Sequence, residues 1–154
     1  MKISHKVDYG VRAMVSLAAA QAHVPVQPTS RDVLAAEHGI PAASLEDILR
    51  ELAKAGLAKS RRGAVGGWLL ARPAAQVTVA DVMRALDGPL ASVRGIRPHE
   101  LGNDGADPYI RLWVAVRAAL RSVLETVTLA DLVEGRLPPE AAAWLDRPRA
   151  WEAP

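Results

Sequence analysis

The stretch Ile40–Leu70, IPAASLEDILRELAKAGLAKSRRGAVGGWLL, decides the fold. Leu45, Ile48, Leu49 and Leu52 recur at helical spacing and predict a helix with one apolar face, running to about Ala55. Gly56 is its stop. Leu57-Ala58-Lys59-Ser60 and Trp68-Leu69-Leu70-Ala71 then alternate as two strands. Between them lies Arg61-Arg62-Gly63-Ala64-Val65-Gly66-Gly67, whose glycines permit positive φ in a hairpin and a close backbone approach to a partner. A helix shaped for a groove, followed by a basic hairpin, points to a nucleic-acid-reading module.

Working back towards the N-terminus, Gly39 stops a helix over about Arg31–His38, and Ile40-Pro41 makes a very short turn. Thr29 or Ser30 caps that helix, and Thr29-x-x-Asp32 matches a loose capping box. Two short helices joined by a tight turn with glycine form a helix-turn-helix. With the hairpin added, the pattern is a winged helix. Before it, Ser4 caps a first helix, with Asp8 near its positive end and Val7, Val11, Met14 and Ala18 on one stripe. Pro25 and Pro28 keep Val24–Gln27 extended or looped.

Beyond the hairpin, Thr78-x-x-Asp81 caps a fourth helix that stops at Gly88. Residues 89–108 lack periodicity and read as a long loop, a class that is often functional. Residues 109–127 read as a helix of about 28 Å. Its apolar stripe is Trp113, Val116, Leu120, Val123 or Leu124, and Val127. Thr128-x-x-Asp131 caps a short helix ending at Gly135, and residues 136–154 read as a tail with a turn or two around Glu140–Leu145. The expected organisation is a winged-helix domain over 1–88, a loop over 89–108, a dimerisation helix with a short helix over 109–135, and the tail. The expected fold class is mainly α, with a small β-hairpin wing and a long dimerisation helix.

Composition narrows the function. There is no cysteine, which excludes disulfides, thiolate zinc sites and cysteine-ligated iron–sulfur clusters. No apolar run approaches the roughly 18 to 20 residues of a membrane span. The opening MKISHKVDYGVR has no apolar signal region, so the expected location is cytoplasmic. Net charge is only +2, but residues 1–73 hold ten Lys or Arg against six Asp or Glu, and residues 74–154 nine against eleven. The basic half carries the helix and hairpin, as phosphate binding requires. No nucleophile–base pair, phosphate-cradling motif or paired acids stand at recognisable spacing, so an enzyme is not expected.

The order of pieces resembles a family of bacterial winged-helix transcription regulators, the one that includes IscR, NsrR and CymR. The resemblance covers about residues 1–135. It rests on Asp8-Tyr9-Gly10-Val11-Arg12-Ala13, on Leu45-Glu46-x-Ile48-Leu49-x-x-Leu52, and on Ala55-Gly56-Leu57-x-Lys59-Ser60-x-Arg62-Gly63-x-x-Gly66-Gly67-Trp68-x-Leu70-Ala71. Val77-x-Val79-x-Asp81-Val82, Ala85-x-Asp87-Gly88-Pro89-Leu90 and Val127-Thr128-Leu129-Ala130-Asp131-Leu132 also match. It implies a homodimer whose long helices pair, with each third helix in a major groove and each wing on the minor groove or backbone of a palindromic double-stranded operator. It also implies repression. Many members carry three cysteines in the loop that runs Ala91–Pro108 here, and this chain has none. The resemblance therefore points to a cysteine-free branch, and no cofactor is expected. Asp8 matches a cluster-ligating position of the nitric-oxide sensor branch, but a helix N-terminal carboxylate accounts for it. The opening Pro41-Ala42-Ala43-Ser44-Leu45-Glu46-Asp47 departs from the family's Ser-x-Ser-Tyr-Leu-Glu-Gln, which implies a different base preference.

The candidate DNA-binding residues follow. Arg61, Arg62 and Gly63 sit in the wing, where arginine suits phosphates and narrow minor grooves. Ala42, Ala43, Ser44, Asp47 and Arg50 lie on the outer face of the third helix. An internal Glu46–Arg50 pair is an equal alternative there. Lys2, Arg12 and Arg31 are expected backbone contacts. The candidate dimerisation residues are Trp113, Val116, Leu120, Val123, Leu124 and Val127. His99, Glu100, Asp104 and Asp107 match no known metal spacing, so no metal is expected. The effector is an unidentified small molecule or protein. The rival reading is a winged-helix interaction adaptor, or a small-ligand or metal sensor with little DNA binding of its own.

Overall fold

The computed structural model describes residues 2–101 and 107–152. The chain runs α1 (His5–Gln21), α2 (Arg31–His38), α3 (Ala42–Lys54), β1 (Ala58–Arg61), β2 (Gly67–Leu70), α4 (Val79–Asp87), α5 (Pro108–Leu124), α6 (Leu129–Val133) and α7 (Pro139–Ala142), with short 3-10 turns at Ala74–Gln76 and Pro98–Glu100. This is the helical, winged architecture expected from the sequence.

Local rules account for most boundaries. The Ser4 side chain accepts the Val7 N–H at 3.1 Å and opens α1. Ser30, not Thr29, caps α2, by accepting the Val33 N–H at 3.2 Å. The expected Thr29–Asp32 box is therefore absent, and Asp32 pairs with Arg31 at 2.7 Å instead. Thr29 has another task. It exchanges backbone hydrogen bonds with Trp68, at 2.8 and 3.0 Å, and so forms a one-residue antiparallel bridge beside β2. Gly39 ends α2 at φ 63°, and the Ile40 N–H reaches back to the Ala35 carbonyl at 2.9 Å.

The core is aliphatic. Met14 and Leu17 of α1, Leu34 of α2, and Leu45, Leu49 and Leu52 of α3 are sealed from solvent together with Val77, Val82 and Leu129. Gly10 lets α4 close against α1, since a Cβ there would lie 2.3 Å from the Leu86 Cδ1. Strands β1 and β2 pair antiparallel, from Ala58 opposite Leu70 to Arg61 opposite Gly67. Ala58, Trp68 and Leu70 turn inward, and Lys59, Ser60 and Arg61 outward.

The far end of the chain departs from expectation at two points. Both predicted capping boxes form, at Thr78–Asp81 and Thr128–Asp131, but they also meet. Val79 N–H donates to the Val127 carbonyl and Leu129 N–H to the Val77 carbonyl, each at 2.9 Å, so Thr78 and Thr128 face each other in a two-residue bridge. Val127 is drawn into that bridge, lies beyond the end of α5, and is buried at 4 % exposure. It is buried within its own chain, in contrast to the exposed position expected of a pairing residue. Next, α6 packs on α1, so residues 129–133 belong to the winged-helix body rather than with α5. Finally, α7 forms where a turn is expected near Glu140 and packs on α5 with Ala141 buried, so the start of the tail is anchored.

Candidate nucleic-acid interface

Helix α3 buries Leu45, Ile48, Leu49 and Leu52 and turns Ala43, Ser44, Asp47 and Arg50 to solvent. Ala42, expected on the outer face, is half-buried and packs against the core, because the helix starts there and its first turn tucks under Ile40. Arg50 is tied down on its own helix, 3.1 Å from Glu46 and 3.8 Å from Asp47. Two carboxylates and one guanidinium leave the outer face of α3 without excess positive charge.

Positive charge gathers instead on the wing. In the basic half, Lys6 pairs with Glu51 at 2.7 Å, Arg12 with Asp8 at 3.0 Å, and Arg31 with Asp32. Hydrogen bonding to Asp32 pushes the Arg31 pKa up further, so it is a permanent cation. Among the described residues of that half, Lys2, Lys54, Lys59, Arg61, Arg62 and Arg72 have no carboxylate partner, and all six are exposed; Arg72 donates to the Gln76 carbonyl at 2.9 Å. Lys54 ends α3, and Lys59, Arg61 and Arg62 follow on the wing. Carboxylates thus pair most of the helical cations of this half and leave Lys54 and the three wing cations unpaired among the described residues, with Lys2 and Arg72 outside that run. Lys54 and Lys59 were not singled out from the sequence. Lys59 was legible there from its outward position beside inward Ala58; Lys54 needed the knowledge of which cations are paired.

The glycines of the wing prove to serve the fold. A Cβ on Gly67 would lie 2.6 Å from the Thr29 carbonyl oxygen, and one on Gly66 would lie 2.8 Å from the carbonyl oxygens of Arg61 and Gly63. The close approach that these residues permit is to the chain's own backbone. Only Gly63, at φ 120° with open space around it, matches the expected role in an exposed turn. Ser44 and Asp47 also line a cleft of about 480 Å³ with His5, Lys6, Tyr9, Pro41 and Ile48, which sets the start of α1 beside the outer face of α3.

Comparison with known proteins decides the family. The family model described as "Rrf2: Iron-dependent Transcriptional regulator" matches residues 3–135. The chain belongs to the Rrf2 family. An HTH-type transcriptional regulator of Mycobacterium tuberculosis, Rv1287, is 46 % identical over 154 residues, 99 % of this chain and 94 % of that one. CymR of Bacillus subtilis is 36 % identical over 132 residues, covering 86 % and 89 %. The solved structure of that CymR, titled the global cysteine regulator of B. subtilis, aligns with a TM-score of 0.72 at 35 % identity over 88 % of this chain and 98 % of that one. The structure of T. potens IscR aligns with a TM-score of 0.68 at 34 % identity over 88 % of each chain. As an Rrf2 member the chain is a DNA-binding transcriptional regulator with a winged helix, not an enzyme.

The family description names iron, and the donor set does not suit a thiolate-held cluster, since the chain has no cysteine. Among the described residues no three His, Asp or Glu side chains gather as a metal site, and no helix is long and apolar enough to cross a membrane. His99 and Glu100 are exposed and 3.7 Å apart, Asp107 caps α5 through the Tyr109 N–H, and Asp104 lies outside the described residues.

Proposed function

We propose that this Rrf2 regulator is a homodimeric, cytoplasmic repressor that works without an iron–sulfur cluster and binds an inverted-repeat operator. The observation that carries this reading is the division of charge between the two parts of the DNA-facing edge. The wing has free cations and supplies affinity for phosphates at any sequence. The outer face of α3 is internally neutralised and offers short side chains, Ala43 and Ser44, with Asp47 beside them, to base edges. Asp47 is a natural acceptor for a cytosine amino group and alanine a contact for a thymine methyl.

Dimerisation through α5 is supported by its surface. The helix buries none of its residues although most are apolar. Tyr109, Leu112 and Val114 are 50, 54 and 40 % exposed, and Trp113, Val116, Leu120 and Val123 are half-buried. Leu124 also packs against the chain's own core and contributes less to the pairing. A second copy that covers this helix would present two α3 helices to successive major grooves.

A random-sequence binding selection with the purified protein tests the reading. The expected result is one inverted repeat with half-sites about one helical turn apart, recovered equally well after treatment with an iron chelator. Retention of DNA with no preferred site, or loss of binding to the chelator, overturns it.

A further inference from the structure

A second site lies away from the DNA-facing edge. Arg84 of α4, Arg97 of the loop after it and Arg117 of α5 line one cavity of about 310 Å³, together with Gly88, Pro89 and Leu90. No carboxylate is among these lining residues. Arg84 is held from the side by Glu125 and lies 3.6 Å from Asp81, and Arg97 lies 3.2 Å from Glu100. Glu125 is shared with Arg121 at 2.9 Å. Each guanidinium carries five N–H donors in a fixed fork, and these contacts use few of them. Arg117 has no ion-pair partner among the described residues, and its Nε is buried without a hydrogen-bond acceptor. One turn earlier on the same helix face, the buried Trp113 Nε1 also lacks an acceptor. Buried donors are almost always paired, and the described residues provide no acceptor for these two, of which Arg117 lines the cavity.

We propose that this cavity binds a small organic dianion, with a phosphate ester or a dicarboxylate as the shared chemistry, and that this ligand is the regulator's effector. The volume stands at the lower end of ligand pockets, which suits a metabolite rather than a nucleotide. Forked guanidinium groups from three directions match the geometry of both anions. The three arginines come from three separate pieces of chain. A ligand shared by Arg84 and Arg117 therefore couples α4, in the winged-helix body, to α5. The effector role rests on the regulator reading above, whereas the binding itself does not.

Titration calorimetry on the full-length protein in phosphate-free buffer tests the binding without DNA present. The probes are glycerol phosphate and succinate, each to about 10 mM, with matched chloride as the control for ionic strength. Saturable one-to-one binding per chain is expected for at least one probe, and the probe that binds names the anion class. Arg117→Gln and the separate Arg97→Gln, a change at an exposed side chain that leaves the core intact, should each weaken it roughly tenfold or more. Arg94→Gln, outside the cavity, should not. No saturable binding to the wild-type protein overturns the proposal and assigns the orphan donors to the contact between copies. So does equal affinity in the Arg97 and Arg117 variants. Operator binding measured separately in chloride shows whether the regulator reading stands regardless of that outcome.

Discussion

At the scale of single residues, the proposed DNA-facing edge holds two kinds of side chain, and they should answer differently to substitution. Arg62 is exposed and has no carboxylate partner among the described residues, so Arg62→Ala should weaken binding to all sequences alike and flatten the salt dependence by about one unit of slope. An unchanged slope in a salt titration by fluorescence anisotropy would show that the wing does not touch phosphate. Asp47 should behave in the opposite way. Asp47→Ala removes a base-edge acceptor and a like charge near phosphates, so overall affinity should hold or rise while discrimination at one base pair falls by about 1–3 kcal/mol. Competition against operators varied at single positions reads this directly. Arg12, Arg31 and Arg50 all have internal partners at the surface, and such pairs contribute little. Their mutation should matter less than that of Arg62.

At the scale of elements, the wing is held by glycines that cannot be replaced and the helix-turn-helix by one that can. Gly67→Ala would place a methyl 2.6 Å from the Thr29 carbonyl and part the Thr29–Trp68 bridge, at a cost of about 2–4 kcal/mol. Gly39→Ala meets no neighbour and incurs only the left-handed backbone penalty, about 1 kcal/mol. Urea midpoints of the two variants should fall in that order; equal midpoints would mean that the wing is not braced on Thr29. The paired capping boxes make a second element-level prediction. The Asp131 carboxylate is 8 % exposed and accepts from the Thr128 hydroxyl at 2.6 Å and the Thr128 N–H at 3.0 Å. The hydroxyl contact, then the backbone one, holds its pKa below the ordinary 3.8. A folded value lowered in this way stabilises above the unfolded value and is lost as pH falls through the folded one. Asp131→Asn should therefore cost about 1 kcal/mol at neutral pH, and the gap to wild type should begin to close only below pH 3.8, as pH falls towards the lower folded value. A gap that persists in acid would assign the effect to packing rather than charge.

At the scale of the whole molecule, α5 carries both the proposed pairing surface and one arginine of the cavity, Arg117. It packs only lightly on α4 and rests on the Pro98–Glu100 turn and on α7. Leu112→Glu puts a charge on its most exposed apolar position, and sedimentation should show monomers that keep their helical signal. Operator affinity should drop by a factor of about a hundred or more, because each monomer holds one half-site without its partner's effective concentration. A variant that stays dimeric places the interface elsewhere. Glu125 belongs to this scale too. Burial raises its pKa, but hydrogen bonds from Arg121 and Arg84 outweigh that and leave it lowered, so the link between α4 and α5 stays charged at neutral pH.

The sequence by itself determined the order of helices, the apolar face of α3, both capping boxes and the hairpin, because each is set by residues within one or two turns of one another. It also excluded thiolate chemistry outright, since that depends on a residue type and not on a position. Only the tertiary structure decided which arginines are free, since pairing depends on where a carboxylate comes to rest. Likewise it alone showed that Gly66 and Gly67 make room for the chain's own carbonyls, that Val127 bridges to Val77–Val79 from fifty residues away in the chain, and that Arg84, Arg97 and Arg117 share a cavity. These are contacts between distant segments, and no local spacing in a sequence encodes them.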